Sequence, residues 1–187
     1  MNTYECIRTL IGHETEIYDI DQISDHQIVS CAGDETIRIW DLNTGECLKI
    51  IRDYEDFASC VKVSSDKKII CGSFKEIKIW NVETGACLKT LSGGHTCFIN
   101  SIIIISNDKI ASGGEDGKII IWNINNGDIL KTIDAHSDYI TSLFKLSENK
   151  LISCSWDKTI KVWDIESGDC LNTLEGHTDS IYCIDAF

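Results

Sequence analysis

Serine, histidine and aspartate occur together three times in this chain, as His13, Ser30 and Asp34, as His95, Ser112 and Asp116, and as His136, Ser153 and Asp157. Those side chains are the parts of a hydrolase triad, in which histidine takes the serine proton and a carboxylate orients the ring. A hydrolase needs that set once, with an exposed serine and an oxyanion hole. Here it comes three times at one spacing, 17 residues from His to Ser and 4 from Ser to Asp, and a tryptophan follows 6 residues after each Asp, at Trp40, Trp122 and Trp163. Each serine sits inside an apolar, β-branched run that reads as a strand, and no Gly-x-Ser-x-Gly elbow is present. Such regularity is that of a building unit. No catalytic residue is expected, and enzyme activity is not.

The other route to chemistry would be metal, since the chain has 10 cysteines. They form no Cys-x-x-Cys pair and no Cys/His cluster at ligand spacing, so no metal and no cofactor is expected. The cysteines follow a repeat instead. Aligned on the tryptophans, Cys6, Cys47, Cys87 and Cys170 share a position with Ile129, Cys31, Cys71 and Cys154 share one with Gly113, and Cys60 shares one with Ile20, Ile102, Leu143 and Ile184. A cysteine that alternates with Ile and Leu acts as a small hydrophobe, so reduced packing thiols are expected.

The elements that position these residues follow from the period. Trp40, Trp80, Trp122 and Trp163 lie 40, 42 and 41 residues apart, and a glycine follows each by 5 residues, at Gly45, Gly85, Gly127 and Gly168. Within the first unit, Ile-rich runs near 17–22, 27–32, 36–41 and 46–51 read as four strands bounded by polar or glycine turns. Glycine at the end of the turn before the fourth strand supplies the positive φ that short hairpin loops need. The chain has no proline, as strands inside sheets require. Four strands every 41 residues or so is the arithmetic of propeller blades. The units run over about 11–51, 52–91, 93–133 and 134–174, with a fifth begun at 175–187.

The Gly-His openings (Gly12-His13, Gly94-His95, Gly176-His177, with Ala135-His136 close to them) and the Trp-Asp closings (Trp40-Asp41 and Trp163-Asp164, with Asn at 81 and 123) resemble the WD40 repeat family over essentially the whole chain. The resemblance implies an all-β propeller of four complete four-stranded blades in an open or incomplete ring. It also implies that Trp, Ser, His and Asp form a hydrogen-bonded chain inside each blade: His13, Ser30, Asp34 and Trp40; His95, Ser112, Asp116 and Trp122; His136, Ser153, Asp157 and Trp163. The second unit has Asp53, Ile70 and Phe74 at three of those positions and keeps only Trp80. Because a half-satisfied buried network is worse than an apolar one, this blade is expected to rest on hydrophobic packing, to be the least regular, and to turn Asp53 to solvent.

The resemblance further implies a docking face for partners, formed by the d–a and b–c loops (the loops joining one blade's fourth strand to the next blade's first, and the second strand to the third). The matching positions are Glu16 and Tyr18, Asp56 and Ala58, Phe98 and Asn100, Tyr139 and Thr141, Ser180 and Tyr182, together with Gly33, Ser73, Glu115 and Trp156 before the blade aspartate. Among them Glu16, Tyr18, Phe98, Glu115, Tyr139, Trp156 and Tyr182 form the candidate binding face, aromatics being the usual anchors of interfaces. His26, at no repeat position, reads as a solvated turn residue.

Charge narrows the partner. The net charge of −13 disfavours phosphate backbones and anionic lipid, so the expected partner is a protein or peptide, with basic segments preferred, and neither nucleic acid nor membrane. The longest aliphatic run, 102–105, is far too short to span a bilayer, and residues 1–5 lack the pattern of a signal peptide. The expected compartment is the cytoplasm, the nucleus being the other intracellular choice. The run near 3–10 aligns with the fourth strand of a blade and 181–186 with the first strand of another, so one stray strand is expected at each end, and the open ends invite self-association. The function this favours is a non-catalytic scaffold or adaptor. A substrate-recognition module of a ubiquitin ligase ranks lower, because Asn43, Glu83, Asn125 and Glu166 stand where relatives of that kind carry Arg. A repeat region of a larger multidomain sensor is the other alternative.

Overall fold

The computed structural model describes residues 5–52 and 56–185. They hold sixteen strands and no helix, so none that could cross a membrane. Blade one consists of β1 (Ile17–Ser24), β2 (Gln27–Ala32), β3 (Ile37–Asp41) and β4 (Cys47–Ile51). Blade two has β5 (Cys60–Val63), β6 (Lys68–Gly72), β7 (Ile77–Asn81) and β8 (Cys87–Leu91). Blade three has β9 (Ile99–Ile104), β10 (Lys109–Gly114), β11 (Lys118–Asn123) and β12 (Ile129–Asp134), and blade four has β13 (Ile140–Lys145), β14 (Lys150–Ser155), β15 (Ile160–Asp164) and β16 (Cys170–Leu174). Each blade is an antiparallel meander in sequence order.

Blades bury their faces against one another. Val29, Ile37 and Ile39 of blade one pack with Val61, Ile69 and Trp80 of blade two. Ile77, Ile79 and Leu91 of blade two pack with Ile99, Ile110 and Trp122 of blade three, and Ile119, Ile121 and Ile133 of blade three with Ile140, Leu151 and Trp163 of blade four. Each interior blade has two covered faces; the first and last have one. Accordingly Ile17 and Ile20 on β1 are exposed, and every residue of β16 is exposed.

The Trp-Asp closing has a local cause. Oδ1 of Asp41 accepts the amides of Asn43 and Thr44 at 2.8 Å, and Oδ1 of Asp164 accepts those of Glu166 and Ser167. Asn123 does the same for Asn125 and Asn126, and Asn81 for Thr84. Only one side-chain oxygen is used, which is why Asn replaces Asp here without loss of the turn. The glycine of each turn has φ between 72° and 91°.

Across these turns runs a fastener that the sequence reading did not identify. The lysine 4 residues after Gly45, Gly85 and Gly127, on the outermost strand, reaches the turn of the next blade. Lys49 donates to the Val82 and Glu83 carbonyls, Lys89 to that of Asn125, and Lys131 to those of Glu166 and Ser167. Arg8 donates to the Thr44 carbonyl in the same way. The inner edges are stitched too: Asp19 accepts the Val61 amide, Asp21 the Val63 amide, and Ser101 the Leu143 amide.

Two expectations are corrected. The stray end strands are not formed: residues 5–16 and 175–185 contain no strand, and Met1–Tyr4 and Ala186–Phe187 lie outside the described residues. A strand needs a ladder partner, and these segments meet their neighbours only at isolated points, such as the Ile181 amide on the Ser155 carbonyl.

The second correction concerns blade two. Trp40, Trp122 and Trp163 face Ile28, Ile110 and Leu151 across the sheet, 12 residues back, whereas Trp80 faces Ile69, only 11 back. Its b–c turn is one residue shorter, and Phe74 alone stands where the others have Gly33-Asp34, Glu115-Asp116 and Trp156-Asp157. Counting back from Trp80 therefore slips by one. The serine position is Cys71, not Ile70, and Gly72 joins Cys31, Gly113 and Cys154. Val61, not Cys60, matches Ile20, Ile102 and Leu143. Cys71 and Trp80 are both buried in the core shared with blade one. The first strand of blade two is the shortest of the four innermost strands. Asp53 lies outside the described residues.

No disulfide joins the cysteines among the described residues. Cys31, Cys60, Cys71 and Cys154 are buried, and burial pushes the Cys60 thiol up to about 12. The outermost position differs: Cys6, Cys87 and Cys170 are exposed, their thiols turned to backbone carbonyls two residues on. These three are not core packing residues, because the outer strand has solvent on its rim.

Candidate protein-interaction face

In blade one the Trp40 indole N–H donates to Ser30 Oγ at 2.8 Å, Ser30 Oγ lies 2.6 Å from His13 Nε2, and His13 Nδ1 lies 3.0 Å from Asp34. Blade three repeats this with Trp122 to Ser112 at 2.8 Å, Ser112 to His95 at 2.7 Å and His95 to Asp116 at 3.0 Å. Blade four has Trp163 to Ser153 at 2.8 Å, Ser153 to His136 at 2.6 Å and His136 to Asp157 at 2.8 Å. One proton assignment satisfies every member: the indole donates to serine, serine donates to a neutral Nε2, and Nδ1–H donates to an ionised aspartate.

Electrostatics agree with it. Burial pushes the His136 imidazole down, more than Asp157 beside it restores. Burial alone would raise the Asp34 carboxyl, but hydrogen bonds from Thr36, His13 and the Glu14 amide outweigh it and hold Asp34 at about 2. Asp116 and Asp157 are lowered by the same balance, burial opposed by the histidine and by neighbouring donors. The serines are buried, so a substrate carbonyl has no approach to the oxygen. The carboxylates also accept backbone amides from the d–a loop: Glu14 on Asp34, Thr96 on Asp116 and Ser137 on Asp157. Each set therefore ties a d–a loop to the b–c turn of its own blade, and so fixes the rim.

On that rim the aromatics fall into two groups. Tyr18 stacks on Phe57 at 5.0 Å, Phe57 stacks on Phe98 at 5.0 Å, and Phe74 meets Phe98 at 5.1 Å, tilted by 56°. This file of rings crosses blades one to three. In the second group Tyr139 stacks on Trp156 at 4.9 Å, and Tyr182 stands edge-on to Trp156 at 6.1 Å and 69°. No ring contact joins the groups among the described residues. Tyr18, Phe74, Trp156 and Tyr182 are exposed, Tyr182 at 70%.

Of the seven residues named from sequence, five are in these clusters. Glu16 is exposed and makes no ring contact, its carbonyl accepting the Gly33 amide. The Glu115 amide donates to the Phe98 carbonyl, and burial raises its carboxyl. Phe57 and Phe74 were missed. The slip in blade two pointed to Asp56 and Ala58, whereas Phe57 and Ser59 hold the places of Phe98-Asn100 and Tyr139-Thr141. A phenylalanine amid Asp56, Glu55 and Asp53 was the available signal. No group of three or more His, Cys, Asp or Glu among the described residues is placed to hold a metal ion.

The model of the WD domain, G-beta repeat, matches residues 4–41, 85–123, 127–164 and 168–187. The chain belongs to the WD40 repeat family. The stretch between the first two matches contains most of blade two, the repeat without the polar set. Among relatives of this WD40 chain, nuclear distribution protein PAC1 of Candida glabrata is 38% identical over 68 residues, 36% of this chain and 14% of the relative. Nuclear distribution protein nudF of Aspergillus niger is 36% identical over 67 residues, 35% of this chain and 15% of the relative. A structure of U3-55K superposes with a TM-score of 0.87 at 27% identity, covering 94% of this chain and 57% of that one. The crystal structure of RRP9 WD40 repeats gives the same TM-score and identity, with 56% of that chain covered. The WD40 chain thus spans a small part of the curated relatives and little more than half of these solved propellers.

Proposed function

We propose that this protein is a non-catalytic scaffold that grips a protein or peptide partner on the d–a and b–c face. The carrying observation is the pair of exposed aromatic clusters set on loops that the buried Asp–His–Ser–Trp sets hold rigid. Rigid rings contribute contact area at little cost in side-chain order, which is what an interface anchor needs. The net charge of −13 favours a partner with Lys or Arg over one with phosphates. The same reading puts the protein in the cytoplasm and gives it no catalytic step, since each serine oxygen is enclosed and engaged by an indole.

The test is affinity capture with the full chain and with Trp156→Ala combined with Tyr139→Ala, both folded by circular dichroism. Loss of the captured partner from the double variant supports the reading. An unchanged partner set overturns it. Self-association over the uncovered faces of blades one and four is the accompanying proposal, and a monomer by light scattering across a wide concentration range removes it.

A further inference from the structure

The second aromatic cluster differs from the first. In the first, Tyr18, Phe57 and Phe98 lie nearly parallel and cover one another, and the tilted Phe74 already carries the Lys75 ammonium 4.5 Å from its ring centroid. Trp156 is stacked on Tyr139, while the exposed Tyr182 stands at 69° to the indole plane, so indole and phenol make a corner at the surface, and among the described residues no native cation is seated on either ring. The corner is built on fixed supports. The Trp156 amide donates to the Tyr139 carbonyl, the Ile181 amide to the Ser155 carbonyl, and Thr141 Oγ1 to the Ile181 carbonyl at 2.7 Å. Lys158 donates to the Thr178 carbonyl, which anchors the same segment and engages the nearby cation.

Beside the corner two exposed carboxylates hold repeat-equivalent places. Asp138 precedes Tyr139, and Asp179 precedes Ser180. Each uses Oδ1 to accept the following amide, at 2.8 Å in both cases. Both residues are exposed, so their carboxylates are within reach of a partner's donors.

Resting on the docking-face reading above, we propose that this corner is the seat of an arginine side chain of the partner. A guanidinium is flat and weakly hydrated. It stacks on an indole or phenol while its edge N–H groups donate to carboxylates in its own plane. An ammonium gains the charge attraction without the stacking, and a neutral urea group of the same shape gains the stacking without the charge. The site therefore ranks arginine above lysine and lysine above citrulline.

The experiment uses the full chain and three acetylated, amidated pentapeptides, Gly-Ser-X-Ser-Gly, with X as arginine, lysine or citrulline. The indole N–H signals are followed by NMR, with Trp156→Phe assigning the Trp156 signal. The expected result is a saturable shift of the Trp156 signal with the arginine peptide, binding about three- to fivefold weaker with lysine, and no saturation with citrulline. Asp138→Asn with Asp179→Asn is expected to reduce the preference for arginine over citrulline, leaving what the rings alone contribute. Equal responses to all three peptides, or shifts confined to other tryptophans, overturn the proposal. If partner capture depends on Trp156 while the peptides show no arginine preference, the docking face stands and the arginine seat falls; if capture is also indifferent to Trp156, both fall.

Discussion

The Trp163 indole N–H donates to the Ser153 hydroxyl across 2.8 Å, joining the outer half of blade four to a chain that ends at the rim. Both partners are buried. Ser153→Ala leaves a buried indole N–H and a buried imidazole nitrogen without their partner. It is expected to lower stability by about 1–3 kcal/mol, with Ser153→Thr close to the parent. Urea unfolding of the three proteins checks this, and an alanine variant as stable as the parent would remove the role assigned to the serine.

Acid should weaken the fold in two stages. A histidine held below its ordinary value binds its proton less readily folded than unfolded, so the His136 contribution is full above about pH 6.5 and declines as pH falls below that. Asp34 is held down at about 2, so its contribution is full above the ordinary carboxylate value and is lost as pH falls through that window. The urea midpoint is expected to fall below pH 6.5 and more steeply below pH 4, roughly. A midpoint flat from pH 7 to 3 contradicts the protonation states assigned above.

Blade two should depend on rings where the others depend on the polar set. Phe57 and Phe98 stack at 5.0 Å with an interplanar angle of 16°. A double-mutant cycle of Phe57→Leu and Phe98→Leu is expected to show a coupling of about 0.5–1.5 kcal/mol. Zero coupling would mean that the stack is incidental.

The turn glycines should differ by what lies across them. At Gly168 an added Cβ would meet Lys131 Cδ at 2.8 Å, while at Gly127 the nearest atom, Leu91 Cδ2, is 3.6 Å away. Both have positive φ, so both alanine variants are destabilised by about 1 kcal/mol. Gly168→Ala should cost more, because it also displaces the lysine that fastens blade three to blade four. Equal melting temperatures for the two variants would contradict the fastener.

Much of this was legible before any coordinates. The tryptophan period gave four blades, and the Ile-rich runs between turns gave four strands in each, because burial between stacked sheets constrains every repeat alike. What escaped had identifiable causes. A register counted from Trp80 cannot see a residue lost in the turn between Cys71 and Ile77, so Asp56 and Ala58 were named in place of Phe57 and Ser59, and Cys71 was put one position off. The lysine fasteners follow the same period, but lysine on an outer strand reads as a solvated charge until its carbonyl partner is seen. The end segments look like strands because composition records propensity and not the presence of a neighbour to pair with.

The central claim is that the partner sits on the d–a and b–c rim. It is tested most directly by placing a photo-crosslinking amino acid in the full chain at Ser137 or at Thr178, both exposed on the d–a loops beside the rings, or at Thr84 on the opposite rim, and irradiating with the captured partner. The account predicts a crosslinked partner from positions 137 and 178 and none from 84. Crosslinks from 84 alone would contradict it.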